Sequence, residues 1–372
     1  MPHAAPDGLH RLRALAAAMP SAFLEGFRLG RELSIPSEST PAPLYVVGMG
    51  GSGIAGELVR GLVDAEASGP LIVVRSPGLP APVNARARVV VVSYSGNTTE
   101  ALQAYDAAAR VGAPRVVVTS GGALAERAAR DGVPMLPLPP GRPPRAAVGS
   151  ILGGLLGLLD PWFPESNDER VRRVAEGLRS YVAACARPRG PAARIAEAIG
   201  PRLPFLYADS DFAGVARRWA TQFEENAKRL AVFDESPEIL HNAVVAWAAL
   251  SRREAGRLAV VQLLWDEARP PAPRLADAVR SLLAERGVRV VRVALTGSDR
   301  LEAIVGGIAL GDHVSLFLAE RGGVDPEPVE TIARFKAIAP PPTPPPPART
   351  GPPTRRAPGA RRRTGSRGAA RQ

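Results

Sequence analysis

The chain has 372 residues, 45% of them hydrophobic, enough for about two to three domains with buried cores. Of its formal net charge of +11, eight units come from the arginines of residues 341–372, which hold no acid, so residues 1–340 carry only +3. A basic groove for nucleic acid is therefore not implied and no specific nucleic-acid partner is expected, although the tail alone could hold polyanions weakly through counterion release.

The single cysteine, Cys185, excludes an intrachain disulfide and a cysteine-based zinc site and suits a reducing compartment. No secretory leader and no run of about 18 apolar residues is read, so a cytoplasmic protein without a membrane partner is expected.

Residues 7–32 carry apolar positions at helical spacing broken by Pro20, which predicts two helices without obvious chemistry. Leu44-Tyr45-Val46-Val47, Leu71-Ile72-Val73-Val74, Val89-Val90-Val91-Val92 and residues 115–119 then read as buried strands alternating with helices. Continuous apolar strands in such an alternation mean a parallel sheet covered on both faces. After helical stretches at 147–160 and 168–186, a second alternation starts at Phe205-Leu206-Tyr207, with strands at 259–264 and 288–293 and a long apolar helix over 301–320.

The expected division is N-terminal helices (1–35), a first α/β domain (36–160), a helical linker (161–195) rich in proline, a second α/β domain (196–339) and a tail (340–372). The tail has ten prolines counted from Pro340, eight arginines and almost no large apolar residue, so it cannot build a core and is expected to be disordered.

Two loops follow apolar strands and open helices: Gly48-Met49-Gly50-Gly51-Ser52-Gly53 and Ser93-Tyr94-Ser95-Gly96-Asn97-Thr98-Thr99-Glu100. Glycines let the backbone approach an anion, hydroxyls add donors, and a helix N-terminus supplies free N–H groups and a positive dipole, so a phosphate is the natural guest. The first loop also fits the dinucleotide fingerprint, yet the next strand ends Val73-Val74-Arg75-Ser76, with no acid for a ribose hydroxyl. An NADP-dependent dehydrogenase, with Arg75 on a 2′-phosphate, is thus one competing reading, and a tight turn without ligand is another. The hydroxyls of Ser93, Ser95, Thr98 and Thr99 exceed what a turn needs, although Ser93 or Thr98 could also cap its helix. A phosphate held by Ser52, Ser95 and Thr98 with backbone N–H groups follows, in the crevice where open parallel sheets bind ligands.

Farther along, Phe212, Val215, Ala216, Trp219, Phe223 and Leu230 form one apolar stripe, while Arg218, Gln222, Glu225 and Arg229 recur on another face. That second face reads either as a solvated row of Arg–Glu pairs or as the lining of a cleft. Asp209, Ser210 and Asp211 lack a glycine cradle and read as helix capping. Of the four histidines, His313 lies in the long apolar helix and is expected to be structural.

On these residues the chain resembles the SIS (sugar isomerase) domain family, and within it the bifunctional phosphoglucose/phosphomannose isomerases. The resemblance rests on the two loops, on Thr-Ser-Gly-Gly (119–122) and Pro-Pro-Arg-Ala-Ala (143–147), on Gln222-Phe223-Glu224-Glu225-Asn226-Ala227-Lys228 and Pro237-Glu238-Ile239-Leu240-His241-Asn242, and on Gly-Val-Asp-Pro-Glu-Pro-Val (323–329) with Ile332 and Lys336.

It implies two flavodoxin-like SIS domains, each a parallel sheet flanked by helices, assembled as a homodimer. It also implies reversible isomerisation of glucose 6-phosphate or mannose 6-phosphate to fructose 6-phosphate through a cis-enediolate, with neither metal nor cofactor. Carried over, Gly50, Gly51, Ser52, Ser93, Ser95 and Thr98 hold the phosphate and Glu225 is the base. His241 matches the ring-opening histidine contributed by the neighbouring subunit, Arg145 the arginine beside the enediolate, and Lys336 the C-terminal lysine.

These roles suit the chemistry: a carboxylate base with pKa near working pH, a cation for the enediolate oxygen, and a histidine to protonate the ring oxygen. The chain departs from the family in having Glu224 where an asparagine commonly stands, which leaves Glu224 as the competing base; the place directly before Asn226-Ala227-Lys228 favours Glu225. A non-catalytic SIS protein that binds a sugar phosphate and regulates something is the alternative, disfavoured because both base and histidine are kept.

Overall fold

A computed structural model describes residues 7–33, 35, 42–81, 83–268 and 271–338, the side chain of Lys336 excepted. The tail expected to be disordered lies outside the described residues. The strands are β1 Leu44–Val47, β2 Leu71–Val74, β3 Arg88–Val92, β4 Arg115–Thr119, β5 Met135–Pro137, β6 Leu203–Asp209, β7 Val232–Ser236, β8 Leu258–Trp265 and β9 Arg289–Leu295. They form two parallel sheets, ordered β2-β1-β3-β4-β5 and β7-β6-β8-β9. The fold is therefore α/β with two flavodoxin-type sheets flanked by helices, as expected.

The valine run of β3 is buried at every position between β1 and β4, which is what an unbroken apolar strand requires. The sequence pattern missed β5 and β7. Both are edge strands: β5 ends in Pro137, and β7 reads Val-Phe-Asp-Glu-Ser with no fully buried residue. An edge strand tolerates proline and polar side chains and so shows no apolar run.

One apolar cluster joins Val46 and Leu58 beside the first sheet to Trp219 and Val305 beside the second. Helix Asp168–Cys185 buries Val171, Val174, Leu178, Val182 and Cys185 in that same cluster. Helix Arg300–Gly322 is, among the described residues, the one helix long and apolar enough to cross a membrane by composition, but 94% of its apolar window is buried inside the protein. Helix Met19–Glu32 lies backbone to backbone on helix Val148–Leu158: a Cβ on Gly153 would stand 2.1 Å from the Phe23 carbonyl oxygen, so only glycine fits. That contact anchors the segment ahead of it, the 3₁₀ turn Pro144–Ala147.

The apolar stripe holds through Phe223 and fails at Leu230, which is 77% exposed. Helix Ala213–Ala227 stops at Lys228, which takes the left-handed conformation (φ 54°), so Leu230 is beyond the helix. Asp209 stands at the N-cap of a 3₁₀ turn without a side-chain cap bond, and Asp211 pairs with Arg300, so the capping expected of this cluster does not occur.

Candidate active site

The two loops leave the carboxyl ends of β1 and β3, neighbours in the sheet whose following strands lie on opposite sides, β2 beyond β1 and β4 beyond β3. This is the topological switch point, where a crevice opens between the two turns. Gly50 has φ +51° and nothing within 4 Å of a Cβ placed on it, so it supplies the left-handed turn that starts helix Gly50–Glu66. Neither this helix nor helix Thr99–Arg110 has a side-chain cap, which leaves first-turn N–H groups for an anion.

The hydroxyls are arranged in depth. Ser52 is buried and its Oγ accepts the Tyr94 N–H at 3.0 Å, so its own hydrogen stays available to donate. Ser93 is 1% exposed and donates to Thr98 Oγ1 at 3.0 Å; it supports Thr98 from below. Ser95 is exposed, its Oγ accepting the Asn97 N–H at 3.3 Å. Thr98 occupies the N-cap position but, contrary to the capping alternative, its side chain makes no cap bond. Tyr94 ties the loop down further: its hydroxyl donates to the Pro139 carbonyl at 2.7 Å and accepts the Arg142 N–H at 2.9 Å. Arg75 pairs with Glu57 at 3.6 Å.

Arg145 is not a surface arginine, for only 3% of it is exposed. Its backbone lies against the first loop, since a Cβ on Gly51 would be 3.0 Å from Arg145 Cα and N. Its guanidinium crosses to the other half of the molecule. Nε donates to Asn226 Oδ1 at 2.7 Å, Nη1 to Glu225 Oε2 at 3.3 Å, and Nη2 to the carbonyls of Pro326 at 2.8 Å and Glu327 at 3.0 Å. Burial pulls its pKa below the usual arginine value, with Glu225 and Glu327 acting the other way.

Glu225 is half-buried, with 27% of its side chain exposed, beside the Arg145 guanidinium. Glu224 is exposed on the same helix; burial and the neighbouring Glu225 raise its pKa, and no hydrogen bond links it to Arg145. Of the two candidate bases, then, Glu225 is the one brought to the arginine.

His241 is not brought there by its own chain. It is exposed and follows the 3₁₀ turn Glu238–Leu240 beyond the carboxyl end of β7, whereas Glu225 precedes the amino end of that strand. Five strand residues separate the two ends, or about 16 Å. Lys336 falls on the terminal helix Glu330–Ile338, and its side chain lies outside the described residues. His313 is buried with Nδ1 2.8 Å from the Ala309 carbonyl, a structural placement as expected.

Four residues that sequence reasoning did not assign a role surround Arg145. Arg218, 1% exposed, pairs with Asp312 through Nε at 3.0 Å and Nη2 at 2.7 Å, so part of the polar face read as solvated or cleft-lining is instead a buried ion pair. Asn226 holds Nε of Arg145. Lys228 Nζ donates to the carbonyls of Glu225 at 2.6 Å and Pro328 at 2.7 Å, fastening the 323–329 loop over the site. Asn226 and Lys228 sit inside the motif 222–228, but nothing in that motif reveals their partners.

A crevice lined by glycines and hydroxyls at the switch point of the first of two parallel sheets, with residues of the second half brought up to it through Arg145, is the arrangement of a two-domain SIS protein. Residues 189–338 match the family described as bacterial phospho-glucose isomerase C-terminal SIS domain. A bifunctional phosphoglucose/phosphomannose isomerase of Caldicellulosiruptor bescii is 32% identical over 326 residues, covering 86% of this chain and 96% of that protein. One from Aquifex aeolicus is 34% identical over 291 residues, covering 78% and 88%. The C-terminal domain of glucosamine-fructose-6-phosphate aminotransferase from Francisella tularensis shares the fold, with a TM-score of 0.65 at 12% identity over 84% of this chain and 97% of that one. The chain belongs to the bifunctional phosphoglucose/phosphomannose isomerase family and is a sugar-phosphate isomerase.

Proposed function

We propose that the protein interconverts glucose 6-phosphate, mannose 6-phosphate or both with fructose 6-phosphate through a cis-enediolate, without a metal. The observation that carries this reading is the Arg145–Glu225 pair at 3.3 Å, held one arginine side chain away from the Gly51 phosphate loop.

The 6-phosphate would be held by Ser52, Ser95 and Thr98 with the N–H groups of Gly50 and Gly51, and Ser93 would orient Thr98. This leaves the C1–C2 end of the sugar toward Glu225. His241 protonates the ring oxygen while the C1 hydroxyl loses its proton to water, which opens the ring. Glu225 then takes the C2 proton; the C2–H pair forms the C1–C2 double bond and the C1 carbonyl pair moves onto its oxygen. A proton passes from the C2 hydroxyl to that oxygen, the pair left on the C2 oxygen forms the C2 carbonyl, and the double-bond pair takes the proton back from Glu225 at C1. Arg145 sits where negative charge develops on the enediolate oxygen, so it stabilises the transition state more than the ground state. The planar enediolate is common to glucose and mannose, which differ only at C2, so one base suffices for both. Lys336 remains a proposed fourth catalytic member.

Since His241 lies beyond the far end of β7 from its own Glu225, we further propose a homodimer in which the partner subunit supplies it. The test is fructose 6-phosphate formation from each hexose 6-phosphate in the presence of EDTA; a folded protein that converts neither would refute the reading.

A further inference from the structure

The bonds around Arg145 close into a ring. Arg145 Nε donates to Asn226 Oδ1 at 2.7 Å, and Asn226 Nδ2 donates to Ser315 Oγ at 2.9 Å. Ser315 Oγ donates to the Asp312 carbonyl at 2.6 Å, and the Asp312 carboxylate receives Arg218. Arg218 Nη2 then donates to the Arg145 carbonyl at 2.9 Å, which returns the path to the residue where it began. The members come from three elements, the 3₁₀ turn Pro144–Ala147 and helices Ala213–Ala227 and Arg300–Gly322, and each is at most 8% exposed. Gln222 Nε2 adds a further donor to Asp312 Oδ1 at 3.0 Å.

We propose that Asn226 is a positioning residue for isomerisation, orienting the Arg145 guanidinium toward Glu225 as the side-chain half of this ring, while Arg218 fixes the Arg145 backbone as the other half. The proposal rests on the catalytic reading of Arg145 and Glu225 given above.

The amide orientation is fixed by its partners. Arg145 Nε can only donate, so Asn226 must turn its oxygen to it, and the Nδ2 left over must donate, which it does to Ser315. A guanidinium has three edges. With Nε held by Asn226 and Nη2 held by the carbonyls of Pro326 and Glu327, Nη1 is left for Glu225 and the reacting oxygen. Removing the Asn226 oxygen leaves Nε without its acceptor, so the group is held by the carbonyls at Nη2 and can tilt about that edge, carrying Nη1 away from Glu225. Positioning of this sort is worth much, since a misplacement of about 1 Å in a catalytic group can cost about 10²-fold in rate. The phosphate loops, on the other side of Gly51, have no member in the ring.

The test compares Asn226→Leu, which has similar bulk and no polar atom, with Asn226→Asp, which keeps an acceptor for Nε. Asn226→Leu is expected to lower kcat by about 10²-fold while KM for the hexose 6-phosphate and competitive inhibition by inorganic phosphate change by less than about twofold. Asn226→Asp is expected to recover at least about tenfold of that loss. Crystal structures of both variants should show the guanidinium displaced in the first and retained in the second.

An Asn226→Asp protein no faster than Asn226→Leu, or a guanidinium unmoved in Asn226→Leu, overturns the proposal, as does a parallel loss of kcat and phosphate affinity. If the wild-type protein converts no hexose 6-phosphate, the catalytic reading fails by itself, and the two crystal structures still decide whether Asn226 orients Arg145.

Discussion

Gly51 and Arg145 touch backbone to backbone across the site: the Cβ that any other residue would carry at 51 lies 3.0 Å from Arg145 Cα and N and 3.1 Å from the Pro144 carbonyl carbon. The glycine inside the first loop is thus also the surface on which the arginine turn rests. The Arg145 backbone cannot yield cheaply, because its carbonyl accepts Arg218 Nη2 at 2.9 Å and its guanidinium is tied to Asn226, Glu225 and the 326–327 carbonyls. Gly51→Ala is therefore expected to lower kcat by about 10- to 100-fold through displacement of Arg145. Gly50→Ala provides the contrast. It bears a left-handed strain of about 1–2 kcal/mol but meets nothing within 4 Å, so it should destabilise the loop and raise KM more than it lowers kcat. Steady-state kinetics on both variants separates the two effects.

Glu225→Gln keeps the size of the side chain and removes the base. General base catalysis contributes about 10²- to 10⁴-fold, so kcat should fall by that order while inorganic phosphate still inhibits competitively. Glu224→Gln should leave kcat within about twofold, because Glu224 is exposed and not bonded to Arg145. Loss of activity in the Glu224 variant with retention in the Glu225 variant would move the base to 224.

The legible parts of this protein are those written in local pattern. The valine runs of β1, β3 and β4 announce buried parallel strands, and the Gly and Ser/Thr loops that follow them mark the crevice before any coordinate is known. What stayed hidden depends on partners distant in sequence. Arg218 and Asp312 are 94 residues apart, and a helical wheel puts Arg218 on a polar face without saying whether that face meets water or a buried carboxylate. Leu230 misled because helix Ala213–Ala227 ends at a lysine in the left-handed conformation, where glycine would have signalled the stop. Strand β7 was masked by its edge position, which permits Asp234, Glu235 and Ser236.

His313 gives the fold a predictable response to acid. The ring is 2% exposed on helix Arg300–Gly322, with Nδ1 against the Ala309 carbonyl and with Asp312 and Arg13 as the charged groups facing it. Burial, aided by Arg13, holds its pKa below the ordinary 6.5, against the opposing influence of the Ala309 bond and Asp312. Between the folded and unfolded values the unfolded chain binds more protons. The sign follows: stability from this group is complete above about 6.5 and declines as pH falls through the window toward the folded value. His313→Asn keeps a donor for the Ala309 carbonyl and cannot titrate. Urea unfolding between about pH 5 and pH 8 should show a shallower acid slope in the variant than in the wild type; equal slopes would assign the acid response elsewhere.

The homodimer proposed above, with His241 supplied by the partner subunit, makes a prediction of its own. His241→Ala and Glu225→Gln should each be nearly inactive as pure proteins. Mixed in equal amounts, unfolded and refolded together, two such chains form heterodimers as half of the population. In each heterodimer one site pairs the intact Glu225 of one chain with the intact His241 of the other, and the second site carries both defects. Activity should therefore return to about one quarter of wild type, as two-fold symmetry with a shared site dictates. The same mixture without refolding should stay inactive for as long as subunits do not exchange. If refolded mixtures give no more activity than the separate variants, while light scattering shows dimers, His241 does not act across the interface, and each chain must bring its own histidine past the end of β7.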